Sequence, residues 1–189
     1  ILIMNTSETL DLTPNTNVNL SNIYLANQTF IDGASFNLQT AAVIEHDSVL
    51  LTIVLPEKLR VKALSISNLI GGDGSISRLL AHGSVFRDIA QNDNENAPAI
   101  LLNEIPDIVL PFFLNATIDL NNGVIQILCS ETIDTTPKTK IAMDNILLNL
   151  TGSNKGNFAL GKSALNEVDS TVIQITLAES HRAIAIAAS

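Results

Sequence analysis

The sequence predicts an all-β protein made of tandem β-sandwich domains, each with one short helical crossover. Three observations carry that prediction. First, the eight residues Ser7-Glu8-Thr9-Leu10-Asp11-Leu12-Thr13-Pro14 return as Ser130-Glu131-Thr132-Ile133-Asp134-Thr135-Thr136-Pro137. Second, apolar residues recur at every second position over strand-length stretches. Third, those stretches are separated by Asn, Gly, Asp, Ser and Pro, the residues that turn a chain.

The repeat extends well beyond the motif. Residues 7–25 set over 130–148 give 10 identities in 19 positions, and 36–67 over 158–189 give 12 in 32, with the offset falling from 123 to 122. Two stretches in the same order and nearly the same spacing indicate a duplicated domain. The copies are cut differently. The second has a run from about Ile105 to Leu128 ahead of its Ser-Glu-Thr, whereas the first has only six residues there, and the first continues through 68–104 where the second stops at Ser189. The expected organisation is therefore one domain over 1–104, short at its N-terminal side, and a second over 105–189, short at its C-terminal side.

Taken in order, the strands are legible from alternation. Leu114, Ala116, Ile118 and Leu120 alternate with Asn115, Thr117 and Asp119, which predicts a strand with one face in the core. Asn121-Asn122-Gly123 supplies a turn that tolerates positive φ, so residues 124–129 are expected to return antiparallel. Leu51, Ile53 and Leu55 in the first copy match Ile173, Ile175 and Leu177 in the second, each set on an inward face. The period then changes. Residues 56–64 and 178–185 suit a short helix, with Pro56 in its first turn, where a missing N–H costs nothing. The polar stretch 91–98 reads as a turn or the approach to a domain junction, with the boundary near Glu104.

Composition excludes several functions. A net charge of -9 with only ten Lys and Arg, scattered along the chain, leaves no basic groove for nucleic acid. The longest apolar runs, such as 49–55 and 108–114, are far below a membrane span. Cys129 is the only cysteine, which rules out a disulfide within the sequence and a thiol zinc site, and its alternating context predicts a buried strand position.

The ordered set of motifs resembles the bacterial-type Ig-like repeats of surface-layer proteins and large adhesins, which also occur in long secreted or wall-associated proteins of algae and other protists. The set comprises an Asn-Gly hairpin, a strand ending Ser-Glu-Thr-Ile-Asp, an Asn-Ile-Leu-Leu strand, and Asp-Ser before an isoleucine-rich strand. A short helix follows, and then Arg87-Asp88-Ile89-Ala90-Gln91-Asn92. The family's strand end usually carries Phe where Cys129 or Thr6 stands, and its later turn carries Gly where Gln91 stands. The resemblance implies tandem Ig-like sandwiches of an extracellular or cell-surface protein. Its partners would be neighbouring repeats and other subunits of a rod, fibre or flagellar-hair-like assembly, and it transfers no catalytic residue. A second expectation is an adhesin module that binds a receptor or carbohydrate through sandwich-end loops. The absence of Trp and the single Tyr24 lean away from sugar stacking. A third, an enzyme whose catalytic domain lies outside this sequence, has no residue here to support it.

Candidate sites follow from the residue types. Five Asn-x-Ser/Thr sequons, at Asn5, Asn19, Asn27, Asn115 and Asn149, are N-glycosylation candidates in a secreted eukaryotic setting. Asn115 is expected on a polar strand face, and Asn27 and Asn149 just past equivalent strands. Asp88, Asp93, Asn94 and Glu95 cluster the hard oxygen donors that calcium uses, with a solvated turn as the competing reading. Glu8 with Asp11 and Glu131 with Asp134 could be paired acids for glycoside hydrolysis. Their recurrence at strand ends instead favours a structural role, satisfying backbone N–H groups. His46, His82 and His181 lack metal-ligand spacing. Gly71-Gly72-Asp73-Gly74 lacks both the EF-hand and the phosphate-loop patterns and reads as a loop.

Overall fold

The computed structural model describes residues 1–149 and 156–188. The chain divides into two compact units, Ile1–Ile108 and Val109–Ser189. Each consists of antiparallel strands with one α-helix.

In unit 1 the chain runs through β1 (Leu2–Leu10), β2 (Ile23–Ala26), β3 (Phe36–Asn37), β4 (Ala42–Val43) and β5 (Ser48–Val54). It continues through α1 (Glu57–Ser65), β6 (Arg78–Ala81) and β7 (Ile100–Leu101). The strands form two sheets, ordered β1-β5-β4 and β3-β2-β6-β7. Leu51 and Ile53 from the first sheet meet Ile23, Leu25 and Leu79 from the second in one buried cluster, which also takes in Leu59 of α1. The alternation seen in the sequence thus places one face of each layer in a common core.

Unit 2 contains β8 (Phe113–Asp119), β9 (Val124–Ile133), β10 (Leu147–Asn149), β11 (Asn157–Ala159), β12 (Ala164–Leu165), β13 (Ser170–Thr176) and α2 (Glu179–Ala188). Its sheets are β12-β13-β9-β8 and β10-β11. The duplication holds at the level of register. Leu2 faces Ile53 and Met4 faces Leu51 across β1 and β5, and the residues that the repeat equates with them, Ile125 with Ile175 and Ile127 with Ile173, face each other across β9 and β13. Because a slip of one residue would turn every side chain to the other face, this shared register reflects the same buried set in both copies.

Both helices lie where the period changed. Pro56 occupies the N-cap of α1 rather than its first turn, with φ of -65° already suited to helix entry. Glu57 pairs with Arg60 one turn on, and Glu179 repeats this with Arg182 in α2. The expected hairpin joins β8 to β9 through four residues, Leu120 to Gly123. Only Gly123 takes positive φ, at 72°, and its N–H closes on the Asp119 carbonyl at 2.8 Å.

One strand expectation is corrected. β8 does not bury one face: all seven of its residues are exposed, and Ile118 is 40% accessible. β8 is the edge strand of its sheet, and the opposing layer of unit 2 has only two short strands to set beneath it. Its neighbour β9 does alternate, burying Ile125, Ile127 and Cys129, as the sequence predicts for Cys129. The polar stretch 91–98 forms a turn, one of the two readings its sequence supports. Residues of this stretch bond back onto 82–88, and unit 1 continues four residues past Glu104 to Ile108. The Glu104 carboxylate accepts from the N–H groups of Asn68 and Ser77, and Asp107 pairs with Arg60, so this segment is held to unit 1.

The two cores differ in closure, and one pair of substitutions measures the difference. Leu25 is 2% exposed, whereas its counterpart Leu148 is only half-buried. Leu25→Ala is expected to cost about 2–4 kcal/mol and Leu148→Ala less than about 1.5 kcal/mol, because the cavity penalty needs a closed environment. Chemical denaturation that follows each unit's transition checks this, and equal costs would contradict it.

Candidate functional site

The feature built with the same atoms in both units is the turn that follows the Ser-Glu-Thr strand end. In unit 1 the chain leaves β1, passes through a cis Thr13-Pro14 bond and makes a 3-10 turn over Asn15–Asn17. In unit 2 it leaves β9, passes through a cis Thr136-Pro137 bond and turns over Lys138–Lys140. Each turn is tied to the loop before β5 or β13 by two acids. Asp47 Oδ1 accepts from Leu12 N–H at 2.8 Å, and Asp169 Oδ1 accepts from Thr135 N–H at 2.8 Å. Glu45 accepts from Asn15 N–H at 2.9 Å, and Glu167 from Lys138 N–H at 3.1 Å. Leu12 and Thr135 are fully buried, so their N–H groups need partners that water cannot supply.

The chemistry of this arrangement is structural. Carboxylates that accept from fixed backbone donors are charge-assisted clamps, not acids or bases poised over a substrate. Of the paired acids, Asp11 is held by side chains rather than by the expected backbone N–H groups, and Asp134 accepts from Thr136 N–H as well as from Lys140. Burial pushes the Asp11 carboxyl up, but hydrogen bonds from Arg87, Asn17 and Gln91 and the Arg87 charge outweigh it and hold the group below the ordinary range. In unit 2 the Lys140 ammonium bonds Asp134 and lowers it in the same sense. Burial raises the Cys129 thiol, which keeps it protonated and unreactive.

The four proposed calcium ligands do not gather. The Asp88 carboxylate accepts from the backbone and side chain of Asn92, and Asp93 accepts from the Ser84 hydroxyl. Asn94 Oδ1 accepts from Val85 and Phe86 N–H, while its Nδ2 donates to the carbonyls of His82 and Glu95. These side chains pin the segment 82–95 to itself. Among the described residues, no group of three or more His, Cys, Asp or Glu is placed to hold a metal ion. Two of the three histidines serve as ring partners: His82 sits edge-on to Tyr24 and His181 packs on Phe158. In the glycine-rich loop, Gly71 and Gly74 take positive φ while Asp73 accepts from Asn27 and from Ser75 N–H.

The sequons differ in access at the amide nitrogen, where an N-linked sugar is attached. Asn5 on β1, Asn115 on β8 and Asn149 on β10 are exposed, although Thr151 of the last sequon lies outside the described residues. Asn19 is exposed and its Oδ1 caps the 3-10 turn Leu20–Asn22. Asn27 is half-buried, and its Nδ2 donates to Asp73 at 2.8 Å, which leaves less room there for a sugar.

Asp47 and Asp169 are the residues that sequence reasoning undervalued. Their signal was present, since Glu45-x-Asp47-Ser48 and Glu167-x-Asp169-Ser170 are identical at the three fixed positions. In each unit the following Ser also accepts locally, from Leu50 or Val172 N–H through its Oγ at 3.1 Å. No protein-family model matches the chain, and no curated protein or solved structure matches it. Among the described residues, no helix is long and apolar enough to cross a membrane.

Removing one clamp leaves a buried N–H without its acceptor. Asp47→Ala and Asp169→Ala are each expected to destabilise their own unit by about 1–3 kcal/mol, while Asp47→Asn, which keeps an acceptor oxygen, costs less. Denaturation of the single variants checks the ordering, and an Asn variant as unstable as the Ala variant would contradict the hydrogen-bond account.

Proposed function

We propose that this chain is a structural module of a large extracellular tandem-repeat protein, in which Ig-like β-sandwich repeats stack into a rod, fibre or cell-surface assembly. The single observation that carries this reading is the duplication of the strand-end clamp and of the β1–β5 register in β9 and β13. What the two copies keep in common is architecture: buried positions, capped N–H groups and paired strands. A chain that repeats its scaffold and its caps is suited to bearing load and presenting surface.

The partners in this reading are neighbouring repeats and other subunits of the same assembly. The exposed edge strand β8 and the N-terminal half of β1, also at a sheet edge, offer backbone groups for β-strand addition. Glycans on exposed Asn5 and Asn115 would limit which edges pair. The extracellular setting rests on the resemblance of the motif order to surface-layer and adhesin repeats.

A load-bearing module unfolds in discrete units. Single-molecule pulling of the chain is expected to give two separate unfolding events, the longer extension from unit 1, both recurring after relaxation. Featureless extension at negligible force would overturn the mechanical reading.

A further inference from the structure

Unit 1 shows what covers the second layer of this fold, and unit 2 carries the same seat uncovered among the described residues. β2 pairs with β3 through Tyr24 opposite Asn37 and Leu25 opposite Phe36, and β10 pairs with β11 in the identical register, Leu147 opposite Ala159 and Leu148 opposite Phe158. The other edge of β2 is taken by β6, from Ile23 opposite Ala81 to Ala26 opposite Arg78. Among the described residues, the matching edge of β10 pairs with no strand.

A cavity of about 200 Å³ opens in unit 2, lined in part by Phe113, Cys129, Ile133, Ile141, Ile146 and Ile173. The counterparts of Ile133, Ile141 and Ile146 in unit 1 are Leu10, Val18 and Ile23, all buried in a cluster that includes Leu79, Ala81 and Val85. Val85 itself is 1% exposed. The backbone of the covering segment is also bonded down: the Val85 carbonyl accepts from Asn19 N–H at 2.7 Å and the Arg87 carbonyl from Asp11 N–H at 3.0 Å. The equivalent donors in unit 2, Ala142 N–H and Asp134 N–H, make no such bonds among the described residues.

We propose that the open edge of β10 and the cavity beside it are the seat of an extended segment equivalent to β6 and β7 of unit 1. It would carry the residue pattern of 77–102. The occupant runs antiparallel to β10. It places branched or small apolar residues at the positions of Leu79, Ala81 and Val85, and its backbone accepts from Ala142 and Asp134. Edge pairing gives affinity through main-chain bonds, and the cavity selects the side chains. This inference stands on the register and the cavity, and it holds or fails independently of the extracellular reading.

The test appends a second copy of residues 68–104 after Ser189 in the full chain. A control carries Asp at the appended positions equivalent to Leu79 and Val85. Hydrogen exchange is expected to slow by at least about tenfold at those amides of 146–149 whose β2 counterparts point toward β6, and at Ala142, with no slowing in the control. Binding of an apolar fluorescent dye should fall in parallel. If the extended chain folds poorly, a synthetic peptide of residues 77–102 added to the unmodified chain reads the same amides. Unchanged exchange at 146–149 in both formats, or equal slowing by the Asp control, would overturn the proposal.

Discussion

The fold depends on one constraint: the backbone N–H just past β1 in unit 1 and just past β9 in unit 2 is buried and must be bonded. Asp47 meets that need for Leu12, and Asp169 meets it for Thr135. Because each acid sits at the entry of the paired strand, the same bond that satisfies the donor fixes where β5 begins against β1, and β13 against β9. The chain then crosses to the second layer in a set direction. An unpaired buried donor costs about 1–3 kcal/mol, comparable to a large fraction of a small domain's net stability. The same clamp is kept in both copies although the clamped residue has changed from Leu12 to Thr135.

The two units differ in how much they cover. Among the described residues, unit 1 closes fifteen into its buried cluster and unit 2 eight, and the difference lies mainly in the second layer. Where unit 1 has Leu12, unit 2 has Thr135, equally buried, with a hydroxyl that lacks a hydrogen-bond partner among the described residues. A lone buried hydroxyl and half-exposed Ile146 and Leu148 both point to unit 2 as the less stable member. The gap matches the strands β6 and β7, which only unit 1 has among the described residues.

Long, strictly alternating segments were legible in the sequence because burial of one face leaves a period-two record. β5, β9 and β13 show this, with Leu51, Ile53, Ile127 and Ile175 where alternation places them. Helices α1 and α2 were legible from the change of period. Of the second layer, β2 and β10 were legible from the repeat, whereas β3, β6, β7 and β11 were not, because they are only two to four residues long and their pairing is set by tertiary contact. β8 misled for the opposite reason: its alternation is real, but alternation reports a pattern of residues, not whether a second layer lies beneath them. The acids of 88–95 carried two readings, a calcium site and a solvated turn, and spacing alone could not choose between them; Asn94 and Asp88 use their oxygens on their own loop. The Asp caps left a clear trace in the repeat alignment, and their role became visible only with the donors placed opposite them.

The most direct test is residue-level hydrogen exchange of the Leu12 and Thr135 amides in the unmodified chain. The account predicts that both are protected, to the level of neighbouring strand amides within their own units, because a carboxylate holds each one. Free exchange at either position while the adjacent strand stays protected would show that the clamp does not bear on the fold.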